Sequence, residues 1–185
     1  MLNANKNLCF FSTNFILTKK TPHRTVISTV LKSITDIRSY QKIGKSIAKN
    51  YDTAIYLIGQ KDVSDTTITK PFTAYKPYSF HRKSWRRFFF SFIYFKNLLN
   101  IKPKLIIVCT HELLFPSLVY KLFFKSKLIY DVQEDYFKNC LYSNVFPKPF
   151  SIFLAYYVRL KEKIVSQWIS YFLLAEKIYS QAQQN

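Results

Sequence analysis

Carboxylates and a histidine lie at the ends of two buried, strand-like runs in the middle of the chain, at 104–109 and 127–132, or just after them. A histidine or carboxylate held in a cleft can accept the proton of an attacking hydroxyl, which is general-base catalysis. Each also has a structural alternative: a strand-end aspartate can cap a turn, and a glutamate can pair with one of the many lysines. The candidate catalytic residues are Glu112, His111, Asp131 and Glu134, and Asp135 is a candidate substrate-binding residue.

A second pair of candidates, Asp36 and Arg38, opens a predicted helix after the first strand-like run. A helix N-terminus favours an anion, and Arg38 could add a bidentate contact to a phosphate or carboxylate. Asp36 and Arg38 are therefore candidate substrate-binding residues. The alternative is that Asp36, or Thr35, caps the helix and Arg38 is solvated.

Nucleotide-binding loops rich in glycine are missing from the sequence. The chain contains two glycines, and neither lies between the first strand and the first helix. Neither the G-x-G-x-x-G fingerprint nor a Walker phosphate loop occurs. We therefore expect no bound cofactor and, because no ligand-spaced cluster occurs, no metal.

Strand-like and helix-like runs alternate along the chain. This alternation implies right-handed βαβ units, and hence an α/β, Rossmann-like, doubly wound and mainly parallel sheet with helices on both faces. Ligands of such sheets bind near the switch point, at the carboxyl ends of the strands where the candidate residues fall. The predicted strands are 25–31, 53–58, 104–109, 127–132 and 168–174, with a further one within 66–75, and the predicted helices are 36–50, 85–100, 113–124 and 150–166. The predicted domain limits are a loose extension over 1–24, a Rossmann domain over 25–180 and a tail over 181–185.

Three motifs occur in a set order. The first is D-x-R with a nearby aromatic and the helix KIGKSIAKN, the second is THELL at 110–114, and the third is KLIYDVQEDYF at 127–137. Together they resemble the N-terminal, acceptor-side domain of family 4-like glycosyltransferases, over roughly residues 25–180. The resemblance implies a single lobe of a GT-B architecture. It also implies transfer of a sugar from a nucleotide-sugar donor to a glycan or lipid-linked acceptor.

The chain departs from the family's motifs at three positions. Cys109 and Gln133 stand where the family usually has histidines, and His111 stands in place of its usual proline. The family holds the nucleotide-sugar mainly in a second lobe, and the sequence contains no second Rossmann unit. The resemblance therefore implies that the chain alone does not transfer sugar. Either a separate C-terminal lobe supplies the donor site, or the chain is a truncated remnant of such an enzyme.

The charge of the chain is strongly unbalanced, with 28 Lys and Arg against 10 Asp and Glu, a formal net charge of +18. The cations are densest at 80–99, where the candidate membrane or anion contacts are Arg82, Lys83, Trp85, Arg86 and Arg87. The same segment carries an apolar stripe of Phe88, Phe92, Phe95 and Leu99, widened by Phe89 and Ile93. This stripe either enters a lipid surface or packs on the sheet, and we expect the packed arrangement.

Such a charge attracts nucleic acid, anionic membrane surfaces or phosphorylated substrates. Nucleic acid is disfavoured because no recognisable nucleic-acid module occurs. The alternative to a glycosyltransferase lobe is a non-catalytic, basic α/β module that binds an anionic membrane surface or polyanion. Three cysteines without a C-x-x-C pair indicate reduced thiols and a cytoplasmic location, with the inner face of the membrane as a peripheral site. No apolar run approaches the ~20 residues of a membrane-spanning helix.

Overall fold

A six-stranded parallel sheet forms the centre of the molecule. The computed structural model describes residues 23–61, 68–79, 86–133, 137 and 147–174. The strands lie in the order β3-β2-β1-β4-β5-β6, and every neighbouring pair is parallel. This is the doubly wound order of a Rossmann-like sheet, so the predicted fold class is confirmed. The strands are β1 (His23–Ser33), β2 (Thr53–Gln60), β3 (Phe72–Ala74), β4 (Leu105–Val108), β5 (Lys127–Val132) and β6 (Tyr171–Leu174).

Helices cover both faces of the sheet. On one face, a π-helical segment (Ile37–Gly44) continues into α1 (Lys45–Asn50). The other face carries a layer of three helices, in which α3 packs between α2 and α4. These three helices are α2 (Arg86–Ile101), α3 (Leu114–Phe124), which follows a 3-10 turn (His111–Leu113), and α4 (Lys148–Ser166).

Side chains of β1 alternate between two apolar cores, as the period of a strand requires. Val26 packs with the buried side chains of α2 and α3, whereas Ile27 packs with Tyr40 and Ile47 on the opposite face. The sheet is thus buried on both faces. Its polar carboxyl edge is left as the place where loops from different strands can meet.

The core stripe expected on α2 was correct only in part. Phe95 and Leu99 are partly buried and pack against the core, whereas Phe92 is 77% exposed and Phe89 and Ile93 are also exposed. The side chain of Phe88 is not described. The buried side is instead formed by Phe90, Tyr94, Leu98 and Ile101. The Tyr94 hydroxyl lies 3.0 Å from Ser28 Oγ and 3.1 Å from Ser117 Oγ, which fixes this side of α2 against β1 and α3.

Most predicted elements occur with shifted limits. The further strand within 66–75 is reduced to β3, the last strand begins at Tyr171 rather than at 168, and the first half of the helix predicted over 36–50 is π-helical. β1 begins at His23, inside the predicted extension, and the domain limits remain predictions. No helix in the described ranges has both the length and the apolarity needed to cross a membrane.

Candidate functional site

The sheet has its switch point between β1 and β4, which pair side by side. The chain leaves β1 towards β2 and leaves β4 towards β5, so the loops after these strands diverge. In doubly wound proteins, loops that diverge at the carboxyl edge form the crevice that binds ligands, so this edge is the candidate site. The segments at this edge are 34–38 after β1, 109–113 after β4, and 131–133 at the end of β5.

Arg38 and Asp131 join two of these segments. Arg38 Nη2 donates to Asp131 Oδ1 at 2.6 Å, and Arg38 Nε lies 3.0 Å from each carboxylate oxygen. Asp131 is fully buried, whereas the Arg38 side chain is about a quarter exposed (26%). Hydrogen bonding to Asp131 raises the pKa of Arg38, against the opposing effect of burial. The guanidinium therefore stays charged at the floor of the crevice, with one side turned towards solvent.

Asp36 fixes the turn from which Arg38 projects. Its Oδ2 accepts hydrogen bonds from the backbone N–H groups of Arg38 at 3.2 Å and Ser39 at 3.1 Å, and from the Ser39 hydroxyl at 3.1 Å. Lys32 Nζ lies 4.0 Å from the other oxygen. The predicted capping role of Asp36 is confirmed. Its role in binding substrate remains a prediction.

Gln133 supports the same ion pair from the loop after β5. Its Nε2 donates to Asp131 Oδ2 at 2.7 Å, so both oxygens of the buried carboxylate accept hydrogen bonds. Asp131 was predicted as a base. With no exposed surface and both oxygens engaged, it is better suited to positioning Arg38 than to meeting a substrate.

Cys109 lies directly after β4, close enough to Arg38 and Asp131 for their charges to act on its thiol. Its backbone N–H donates to the Ser28 carbonyl at 2.9 Å, and the residue is 1% exposed. Burial, with a further contribution from the charge of Asp131, raises the pKa of the thiol well above its ordinary value. A buried neutral thiol is a poor nucleophile, so Cys109 is a packing residue of the apolar core that also contains Ile27 and Tyr40.

His111 and Glu112 form the 3-10 turn after β4, and both are half-buried. Glu112 lies near Lys161 of α4. Burial lowers the pKa of Lys161, whereas the charges of Glu112 and Glu162 raise it. Sequence reasoning missed Lys161 because no local motif marks it: its position depends on how α4 packs beside α3.

Thr110 adds an unsatisfied hydroxyl to this edge. It is 4% exposed, and its Oγ1 has no hydrogen-bond partner within the described part of the chain. A buried hydroxyl without a partner is unfavourable, so a ligand hydroxyl that reached Thr110 would gain a hydrogen bond there.

For the remaining predicted site residues, the structure describes no side chain. Glu134, Asp135, Arg82, Lys83 and Trp85 lie outside the described residues. Arg86 and Arg87 form the first turn of α2, and their side chains are not described. Within the described ranges, no group of three or more His, Cys, Asp or Glu side chains could hold a metal ion.

The fold and this edge define a Rossmann-like α/β protein with an ion pair of Arg38 and the buried Asp131 at the switch point of its sheet. No protein-family model matches the chain, and no curated protein matches it either. The glycosyltransferase resemblance therefore rests on the three sequence motifs.

Proposed function

We propose that the chain is the acceptor-side lobe of a GT-B-type glycosyltransferase, which moves a sugar from a nucleotide-sugar to a glycan or lipid-linked acceptor. One observation carries the proposal: Arg38 of the first motif contacts Asp131 of the third. The second motif provides the turn after β4 at the same edge. Three motifs that are separate in sequence thus meet at the crevice where such a fold binds ligands.

The crevice offers two half-buried groups for the acceptor hydroxyl. His111 and Glu112 keep part of their surface exposed, although His111 Nδ1 and Glu112 Oε2 are themselves buried, whereas Asp131 is fully buried. In the proposed reaction, His111 or Glu112 takes the proton of the acceptor hydroxyl as its oxygen attacks the anomeric carbon and the nucleoside diphosphate leaves. The charged Arg38 guanidinium is held by Asp131, whose carboxylate also accepts from Gln133, and it would hydrogen-bond an acceptor oxygen or phosphate.

The donor belongs to a second lobe in this proposal, so the chain by itself holds the acceptor only. A cytoplasmic location, in contact with the inner face of a membrane, is part of the proposal. The reduced state expected of the cysteines supports the cytoplasm, and a lipid-linked acceptor would be reached from the membrane face.

The proposal is tested by binding. The immobilised chain is screened against a panel of saccharides and lipid-linked saccharides, and nucleotide-sugars are titrated by isothermal calorimetry. We expect a saccharide ligand whose binding falls about tenfold or more in the variants His111→Ala or Glu112→Gln, because a lost hydrogen bond to a charged group costs ~1.5–3 kcal/mol. Lys49→Ala is the control, since Lys49 is an exposed residue at the end of α1, beside the amino edge of the sheet.

Two results would contradict the proposal. Tight binding of a nucleotide-sugar to the chain alone would overturn the division between lobes. Saccharide binding that is absent, or unaffected by both crevice variants, would overturn the assignment of the acceptor site.

A further inference from the structure

Exposed apolar side chains are concentrated on one side of the molecule. Among the large apolar residues exposed in the described ranges, only Ile37 lies on the face covered by α1. Every other one belongs to α2, α3 or α4, or is Trp168 just after α4. A patch of this kind on one face marks an interaction surface rather than ordinary exposed residues.

The outer side of α4 carries the longest apolar row, which we name the α4 stripe. Its members recur every three or four residues, so they share one side of the helix. The side turned to the sheet is formed by the small residues Ser151 and Ala155, with Val158 and Val165. The α4 stripe consists of Phe150, Phe153, Tyr157, Leu160 and Ile164, which are between 50% and 69% exposed.

Neighbouring helices extend this surface. Because α3 packs between α2 and α4, the outer sides of all three helices form one layer. α2 contributes Phe89, Phe92 and Ile93, and α3 contributes Phe115, Leu122 and Phe123.

The charges within this layer have almost a single sign. The three helices contain eight Lys and Arg residues and one acidic residue, Glu162. Glu162 accepts a hydrogen bond from the Tyr130 hydroxyl at 2.9 Å, which directs it towards the sheet. Arg159 and Lys163 lie four residues apart beside the α4 stripe, and both are exposed. Aromatic and aliphatic side chains bordered by cations, without exposed carboxylates, complement an anionic lipid surface.

We infer that the outer face of α2, α3 and α4 is a docking surface for an anionic lipid bilayer, with the α4 stripe as the part that enters it. The stripe lies among the acyl chains near the head groups, and Arg159 and Lys163 contact the lipid phosphates. This surface does not depend on the glycosyltransferase proposal. The part that enters the bilayer is the α4 stripe, which is a different segment from the cation cluster predicted at 82–87.

Co-sedimentation of the whole chain with vesicles tests the inference. One set contains phosphatidylcholine alone, and in the other part of it is replaced by phosphatidylglycerol. We expect at least about tenfold tighter binding to the anionic set, since each basic residue at such a surface is worth ~1 kcal/mol. Binding should weaken as salt is raised, because salt screens charges at the surface.

Matched variants locate the contact. Phe153→Ser with Leu160→Ser should lower binding about tenfold or more, since both side chains leave water on docking. Ile37 is similarly exposed but lies on the opposite face, so Ile37→Ser should leave vesicle binding unchanged. Lys163→Glu should weaken vesicle binding more than Lys49→Glu does, because Lys49 lies on that opposite face. The urea midpoint of each variant checks that it is folded.

Trp168 gives a second readout, because it is 48% exposed and lies close to Ile164 in sequence. In a Trp85→Phe background it is the single tryptophan, and its emission should shift to the blue with anionic vesicles. Absence of binding by the wild-type chain, or undiminished binding by the Phe153/Leu160 variant, would overturn the inference. The inference would also be overturned if the wild-type chain self-associated without lipid and the Phe153/Leu160 variant did not. The partner of this surface would then be a second copy of the chain.

Discussion

Arg38 and Asp131 lie 93 residues apart in sequence, yet Arg38 Nη2 is 2.6 Å from Asp131 Oδ1. The contact ties the turn after β1 to the end of β5, across β4. Asp131 has no exposed surface and depends on Arg38 and Gln133 for its hydrogen bonds. The ion pair therefore shapes the carboxyl edge and determines the position of the one guanidinium described there.

Removing Arg38 should destabilise the chain strongly. Arg38→Leu leaves the Asp131 carboxylate buried and charged, with only Gln133 as a described side-chain partner, and we expect a loss of about 3–5 kcal/mol in the free energy of unfolding. Arg38→Leu combined with Asp131→Leu should lose less than the sum of the single variants, since no unpaired charge remains. Urea titrations of the four proteins form the double-mutant cycle. Additive losses would show that the two side chains do not interact in solution.

Tyr94 should make stability fall at high pH. Complete burial raises the pKa of Tyr94 from 10.0 to about 12, because the phenolate would lose its hydration. The unfolded chain therefore ionises first. The stabilisation is complete below pH 10 and is lost as pH rises towards 12, by up to about 3 kcal/mol.

The test for Tyr94 compares urea midpoints at pH 8 and pH 11. Tyr94→Phe should show a smaller decline between these two pH values than the wild type does. Tyr156→Phe is the control, because Tyr156 is 64% exposed. Equal declines in all three proteins would refute the prediction.

Gly44 should not tolerate a methyl group, although its backbone is helical. A Cβ there would lie 3.0 Å from Phe72 Cε1 and 3.2 Å from the Ser39 carbonyl oxygen. Alanine improves helix propensity by ~1 kcal/mol, but overpacking costs ~1–3 kcal/mol. We expect Gly44→Ala to be net destabilising in chemical denaturation. Adding Phe72→Leu to Gly44→Ala should recover part of the lost unfolding free energy. If it recovers none, the loss arises from the close approach to the Ser39 carbonyl oxygen rather than to Phe72.

The orientation of α2 can be tested with two neighbouring phenylalanines. Phe90 is 4% exposed and Phe92 is 77% exposed. Phe90→Ala should therefore cost about 3–5 kcal/mol of unfolding free energy, whereas Phe92→Ala should cost about 0.5 kcal/mol or less. Thermal or urea unfolding measures both. A larger loss for Phe92→Ala than for Phe90→Ala would show that α2 buries the apolar stripe expected from the sequence instead.

Local sequence patterns were sufficient to predict the fold class and the order of most elements, though not all of their limits. β5 occurs at the predicted residues 127–132, and α2 and α3 lie within one or two residues of their predicted limits. These elements have strong local signals: buried β-branched or aliphatic runs for strands, and stop signals such as Pro103 for helices. The alternation of such elements restricts the topology to a parallel, doubly wound sheet.

The sequence by itself therefore determined the elements, the fold class and the edge where candidate residues collect. Only the tertiary structure decided that Arg38 binds Asp131, because that contact depends on the order of strands rather than on spacing. It also decided which sides of α2 and α4 are buried. Both helices carry large apolar residues on several sides, so the apolar pattern could not choose a face. Tertiary contacts determine which side is buried. Tyr94 of α2 lies between Ser28 and Ser117, and the small residues of α4 pack against the layer beneath.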